Sequence, residues 1–283
     1  MAQQTHLKDS QECEFCGKEL KQIEVLGIKA GVRVCDCEKF QEKVDREAEE
    51  VRLREQAEEE EISNRLAMER IGKIIGDSGM RGRFLNRTFE TFEITLENQT
   101  AYETAVNYAL NFSDNLPRQG GYGKIIPPKN KRNGLFITGS YGTGKTHLVA
   151  SIANELHKNH IGAICMTMID LLARIKDSFS KSGEFSEAEI LRAYEEVPLL
   201  IIDDIGSEQP TEWGSSKIFE IINTRYEGYM PTVITTNYSS SALKARMTPS
   251  GQDGKNAEKT LDRLQEVSVG LIMDWKSYRA GGR

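Results

Sequence analysis

The segment Gly139–Thr146 reads GSYGTGKT, a full match to G-x-x-x-x-G-K-[ST]. It follows the apolar run Leu135–Thr138 (LFIT) and precedes a helical pattern over Thr146–Lys158, the strand–loop–helix setting that gives the motif its meaning. Glycine at 142 and 144 lets the backbone turn without a Cβ, so successive N–H groups face phosphate oxygens. The helix behind adds the positive end of its dipole. Lys145 supplies a charge for the β- and γ-phosphates and the Thr146 hydroxyl a ligand for Mg2+. The nucleotide-binding set is therefore Gly139, Gly142, Thr143, Gly144, Lys145, Thr146 and His147. His147 takes part as a packing or helix-surface contact rather than as a catalytic group.

A strand that ends in such a loop needs parallel neighbours. Ala163–Met166, Leu199–Ile202, Thr232–Thr235 and Val269–Met273 are predicted strands, and Ile169–Ser178 and Ser215–Tyr226 predicted helices. The alternation implies helical crossovers and an α/β layer fold. Leu199–Asp204 (LLIIDD) delivers Asp203 at the C-terminal edge of a buried strand, where it can hold Mg2+. Asp204, one step on, is placed to orient or deprotonate an attacking water. Asn237 closes TVITTN, where an amide can sense a γ-phosphate; alone, an Asn after a strand is an ordinary turn former. Pro117–Asn133, with five basic residues, and Arg246–Lys255 read as mobile loops.

Charge narrows the options. The 283 residues carry 37 basic and 43 acidic side chains, a net of −6, which argues against a polycation that coats nucleic acid. The excess is local: residues 38–70 hold twelve acidic and seven basic side chains, and residues 41–75 read as a long charged helix with sparse apolar positions at Val44, Ala48, Val51, Leu66 and Ile71. No apolar run approaches the roughly 20 residues of a membrane span. The start, MAQQTHLKDS, lacks an apolar secretory core, so a cytoplasmic location is expected.

Four of the five cysteines form two tight pairs, Cys13-x2-Cys16 and Cys35-x-Cys37. In a reducing compartment such pairs bind metal more often than they form disulfides. Four thiolates make a closed, structural Zn2+ site, and a module of about 40 residues needs such a staple. Free thiols on an unstructured tail are the alternative. Cys165, on a predicted strand, reads as a small buried apolar residue. The chain therefore divides into a zinc module (1–40), a charged helical linker (41–75) and an ATPase domain (76–283).

GSYGTGKTHL, LLIIDDIG, FEIINTRYEGYMPTVITTN, LDRL and DWKSYR occur in the order found in AAA+ ATPases of the DnaC/DnaI type, the bacterial replicative helicase loaders. RTFETFE (Arg87–Glu93) also resembles theirs, and the likeness spans roughly residues 80–283. The resemblance implies an AAA+ core in which Asp203 and Asp204 form the Walker B pair and Asn237 is sensor 1. Arg263 in LDRL resembles the arginine finger that completes a neighbouring protomer's site, which implies ATP-linked self-assembly. Arg279 in SYR resembles the sensor 2 arginine. Either could be a surface ion pair, and Arg225 competes for the finger role. Asp204 stands where many AAA+ enzymes have Glu, shorter by about 1.5 Å, so slow turnover is expected. The few residues after Arg279 leave no room for a full helical lid, so cover by a neighbouring subunit is expected.

Loaders and initiators of this family carry an extra helical element where Lys176–Glu189 falls. Lys176 and Lys181 could meet phosphates there and Phe179 stack on a base; an exposed helix end is the plainer alternative. Loaders of the DnaI branch also have an amino-terminal zinc module that contacts the helicase. The implied function is ATP-dependent loading of a hexameric replicative helicase onto single-stranded DNA, in a bacterium or a phage. Transposition helpers of the IstB type share much of this module and act on duplex DNA. A nonenzymatic adaptor that uses ATP only as a conformational ligand is the third possibility.

Overall fold

The structure, a computed structural model, describes residues 12–25, 28–75, 84–179 and 184–278. Arg279 and Lys181 lie outside them. The chain falls into two compact units, Met1–Ser63 and Asn64–Arg283.

In the first unit, strands β1 (Lys21–Val25) and β2 (Ile28–Val34) form an antiparallel hairpin between the two cysteine pairs. Helix α1 (Glu38–Ile75) starts just after the second pair, with the Gln41 side chain donating to the Cys35 carbonyl at 2.9 Å. Val51, Leu53, Ile62 and Leu66 are exposed along α1, as its charge predicts. Among the described side chains of α1 only Ile74 and Ile75, which lie in the second unit, are buried; they join a core cluster there, and the Arg174 guanidinium caps the Ile74 carbonyl.

The second unit then runs α2 (Gln99–Leu110), a short hairpin of β3 (Arg118–Gln119) and β4 (Ile125–Ile126), β5 (Gly134–Thr138), α3 (Lys145–Lys158), β6 (Ala163–Thr167), α4 (Met168–Asp177), α5 (Glu187–Glu196), β7 (Leu199–Asp203), α6 (Glu212–Glu227), β8 (Thr232–Thr236), α7 (Ser240–Met247), α8 (Lys255–Glu266) and β9 (Ser268–Ile272). The five longer strands form one parallel sheet in the order β6-β7-β8-β5-β9. The central strands β5, β7 and β8 are buried almost throughout because helices cover both faces. Alternation splits its side chains between two clusters: Leu200, Ile202, Ile234 and Phe136 face α4, α5, α6 and α8, while Leu199, Ile201, Val233 and Ile137 face α2 and α3. Burial of each such side chain contributes about 1.5–3 kcal/mol. Cys165 is fully buried on β6.

All five expected strands of this sheet are present. The helices α2, α5, α7 and α8 were not expected. Helix α8 buries only Ala257, Thr260, Leu261 and Leu264, too narrow a stripe to stand out among its charges. The two expected mobile loops are more ordered than their composition suggests. Arg246 and Met247 form the last turn of α7, with Met247 buried and the Arg246 Nε donating to Gly206 O at 3.0 Å. Pro117–Asn133 contains the β3–β4 pair and ends on buried Asn133, whose amide donates to the carbonyls of Asn115 (3.1 Å) and Tyr229 (2.7 Å).

Candidate nucleotide and metal sites

The parallel sheet brings the C-terminal ends of β5, β7 and β8 to one edge, where doubly wound folds bind ligands. The loop after β5 is shaped by two positions that only glycine fits. Gly139 has φ +151, and a Cβ there would lie 2.0 Å from the Met273 carbonyl oxygen. Gly144, with φ +98 at the N-cap of α3, would press a Cβ onto the Phe92 ring at 3.1 Å. The segment after β9 clamps the loop from outside. Met273 N–H donates to Thr138 O (2.7 Å), Trp275 Nε1 to Thr143 O (3.0 Å) and Tyr278 N–H to Gly142 O (3.0 Å). Ser140 Oγ donates to Asp274 (2.6 Å). Lys145 is buried and its ammonium rests on the carbonyls of Gly139 (2.8 Å) and Ser140 (2.7 Å).

Asp203 ends β7 beside this loop. Thr146 Oγ1 donates to its carboxylate at 2.9 and 3.2 Å, and Thr235 Oγ1 donates at 2.5 Å. Thr235 Oγ1 also accepts the Asp204 N–H (2.9 Å). Asp204 turns away in the left-handed region (φ +56) and accepts the Asn237 amide at 2.5 Å. The two neighbouring acids are thereby aimed differently, one at the loop and one at Asn237. His147, on the first turn of α3, shares hydrogen bonds with Thr88 O (3.0 Å) and Thr91 Oγ1 (3.1 Å) and packs edge-on against Phe92. That is a packing role.

These groups line a cavity of about 420 Å3 that also includes Arg87, Glu93, Tyr141, Thr167 and Tyr278. A glycine-built cradle, a lysine at the mouth of a helix, and a hydroxyl beside a buried carboxylate are the donor set a Mg2+–nucleoside triphosphate requires. The residues fit that ligand: Lys145 and the loop backbone would hold phosphates, and Thr146 and Asp203 the Mg2+.

Burial raises the Asp203 pKa, against the hydrogen bonds from Thr235 and Thr146. A carboxyl whose pKa is higher folded than unfolded costs stability once ionised, and that cost vanishes as pH falls below its unfolded value. Asp203→Asn is therefore expected to melt higher than the parent at pH 7 without ligand. A gain of a few degrees corresponds to about 1 kcal/mol in a domain of this size. The variant should gain nothing further from Mg2+ and ATP, and the parent's Mg2+-dependent binding should fade on acidification at a higher pH than an exposed Asp would give. Scanning calorimetry with and without Mg2+–ATP checks both.

Arg263 lies on α8 outside the cavity. Its guanidinium stacks over the rings of Phe219 (5.2 Å) and Tyr226 (5.5 Å) of α6. Arg225, its rival for the finger role, is fully buried. Its guanidinium donates to the carbonyls of Tyr194 (2.8 Å), Glu195 (3.0 Å), Val197 (2.9 Å) and Pro231 (2.6 Å) and to Thr232 Oγ1 (3.0 Å). A group so enclosed cannot reach a neighbour.

Sequence reasoning missed Thr235, Arg87 and the Trp275–Tyr278 clamp as parts of the site. The β7–β8 register, with Ile202 opposite Ile234, is what puts Thr235 beside Asp203. No spacing within the chain reveals that pairing.

The IstB-like ATP binding protein family matches residues 128–283, more than half of the chain. The chain belongs to that family. It is 28% identical over 205 residues to the replicative helicase loader DnaC of Escherichia coli K12, covering 72% of this chain and 73% of that one. To the replicative helicase loader DnaI of Bacillus subtilis it is 27% identical over 153 residues, 53% of this chain and 48% of that one. The crystal structure of the DnaC helicase loader superposes with a TM-score of 0.53 at 24% identity, over 68% of this chain and 99% of that one, a likeness of fold. With these neighbours the family domain is an AAA+ ATP-binding fold, and ATP is the nucleotide its description names.

In the first unit the Sγ atoms of Cys13, Cys16, Cys35 and Cys37 all lie within 4.8 Å of one another. Cys13 and Cys37 are 3.6 Å apart and Cys16 and Cys35 3.5 Å. Tetrahedral zinc with Zn–S bonds of about 2.3 Å has sulfur–sulfur edges of about 3.8 Å, so the four thiols fit that ion. Cys13 feels burial, which raises its pKa, but hydrogen bonds from the backbone N–H groups of Phe15 and Cys16 and with the Cys37 and Cys35 thiols together outweigh it and bring the thiol down to about 7. Among the described residues no helix is long and apolar enough to cross a membrane.

Proposed function

We propose that the protein is an ATP-dependent loader of a hexameric replicative DNA helicase onto single-stranded DNA. The observation that carries this reading is the 205-residue likeness to DnaC, beside the cavity that Lys145, Thr146, Asp203 and Asn237 line. The zinc-bearing unit grips the helicase, with Cys13, Cys16, Cys35 and Cys37 holding Zn2+. The AAA+ unit assembles with ATP, Arg263 of one copy reaching the nucleotide of the next, and hydrolysis releases the loader.

In this reading Asp204 and Asn237 position the attacking water. Bound Mg2+ supplies charge neutralisation at the phosphates; Lys145 and the loop N–H groups orient the triphosphate. Arg279, outside the described residues, keeps its proposed sensor 2 role. Single-stranded DNA would meet the end of α4, where half-exposed Phe179 stacks edge-on with Trp213 at 5.9 Å and Lys176 sits 5.1 Å above the same indole. Aromatic faces beside cations are what single strands use.

The test is co-purification with the host's replicative helicase, with zinc measured on the same sample. Cys35→Ser is expected to lose the metal and at least about tenfold in helicase capture, because a closed thiolate site supplies a small module's folding free energy. Nucleotide binding should stay within twofold. Capture of a transposase with preference for duplex DNA would instead favour the IstB-type helper, the reading that the family match to residues 128–283 supports. ATP binding without turnover in the presence of helicase and DNA would favour the adaptor.

A further inference from the structure

The cavity lining holds one cation that the family motifs leave without a role. Arg87 precedes the turn Phe89–Thr91, and its backbone is pinned on both sides. Its N–H donates to Phe84 O (3.2 Å), its carbonyl accepts the Asn154 amide (2.7 Å), and the next carbonyl, of Thr88, meets His147 Nε2 (3.0 Å). Asn154 and His147 both lie on α3, the helix that opens at the phosphate loop. The position of Arg87 is therefore tied to that loop by rigid structure and not by a surface segment.

The side chain is differently placed. It is half-buried, packs its guanidinium 5.5 Å from the Phe84 ring, and lines the same cavity as Lys145, Thr146 and Asp203. Among the described residues it makes no side-chain hydrogen bond and no ion pair. No Arg87 nitrogen is both buried and unpaired, so its donors are open to solvent and available to a ligand's oxygens. Lys145, by contrast, is already held by two carbonyls. The Arg87 charge is felt across the cavity. At Asp203 it opposes the upward push of burial, and at His147 it adds to the downward push of burial. The lining also carries three carboxylates, Asp203, Asp204 and Glu93. Against them, a triphosphate needs more positive charge than one lysine provides.

We infer that Arg87 is a phosphate ligand supplied by the nucleotide's own protomer, engaging the polyphosphate chain from its place in the cavity lining. The inference rests on the reading of this cavity as a nucleotide site. It implies that a lone protomer already offers the triphosphate both Lys145 and Arg87, and that assembly adds Arg263 from a neighbour.

Calorimetric titration of the full chain with Mg2+–ATP and with AMP, at a concentration where it is monomeric, tests this. Arg87→Ala is expected to weaken ATP by at least about tenfold, the scale of a charged hydrogen bond, and AMP by less than twofold. Arg87→Lys should recover part of the ATP loss, since the charge returns without the fork. An unchanged thermal midpoint of the ligand-free variant shows that the fold survives. If the parent itself binds no ATP, the nucleotide reading fails. If the parent binds and Arg87→Ala matches it, or loses ATP and AMP equally, Arg87 is not a phosphate ligand.

Discussion

Arg225→Ala is expected to cost the AAA+ unit about 3–5 kcal/mol, the range for removing a buried charged group from its partners. Three of the carbonyls it serves, those of Tyr194, Glu195 and Val197, belong to the end of α5, where a helix leaves its last carbonyls unmet. Pro231 O and Thr232 Oγ1 tie the same guanidinium to the start of β8. Truncation therefore strands acceptors from two elements at once, in a place water does not reach. Lysine is no remedy, because one ammonium has three donors and cannot span the planar fan of acceptors. Urea unfolding of the monomer gives the number. If the variant kept its full stability and lost only assembly-dependent turnover, the buried assignment would be wrong and Arg225 would return as a finger.

Arg263→Ala should behave in the opposite way. The side chain lies on the α6–α8 face with aromatic rings beneath it, so its loss removes cation–π contacts worth about 1 kcal/mol and no buried partners. Nucleotide affinity of the monomer is expected to stay within twofold. Turnover in the assembled state should fall by about 10^3-fold or more, the scale of an arginine finger acting in trans. Steady-state hydrolysis at high protein concentration, set beside sedimentation with and without ATP, reads both effects. Parent-like turnover would end the assignment.

The parts of this molecule that the sequence made legible are those where one local chemistry dictates one local geometry. The phosphate loop needs glycine where φ is positive, and Gly139 and Gly144 stand there. Strand β7 needs apolar residues on both faces, and LLII supplies them before Asp203. Two cysteine pairs predict a thiol cluster, and the four sulfurs converge. What stayed hidden depends on contacts between distant segments. Arg225 reads as a rival arginine finger until α5 and β8 are folded over it. Arg87 sits more than fifty residues before the loop whose cavity it lines, and only the grip of α3 on Thr88 and Arg87 brings it there. Helix α8 hides among its own charges because its buried face offers only three apolar residues, Ala257, Leu261 and Leu264.

The clamp formed by Met273, Trp275 and Tyr278 has a mechanical meaning. Three bonds bolt the trailing peptide to the loop at Thr138, Thr143 and Gly142, so the two cannot shift independently. A displacement of residues 273–278 is therefore carried to the phosphate loop, and a rearrangement of the loop is carried back along the same peptide.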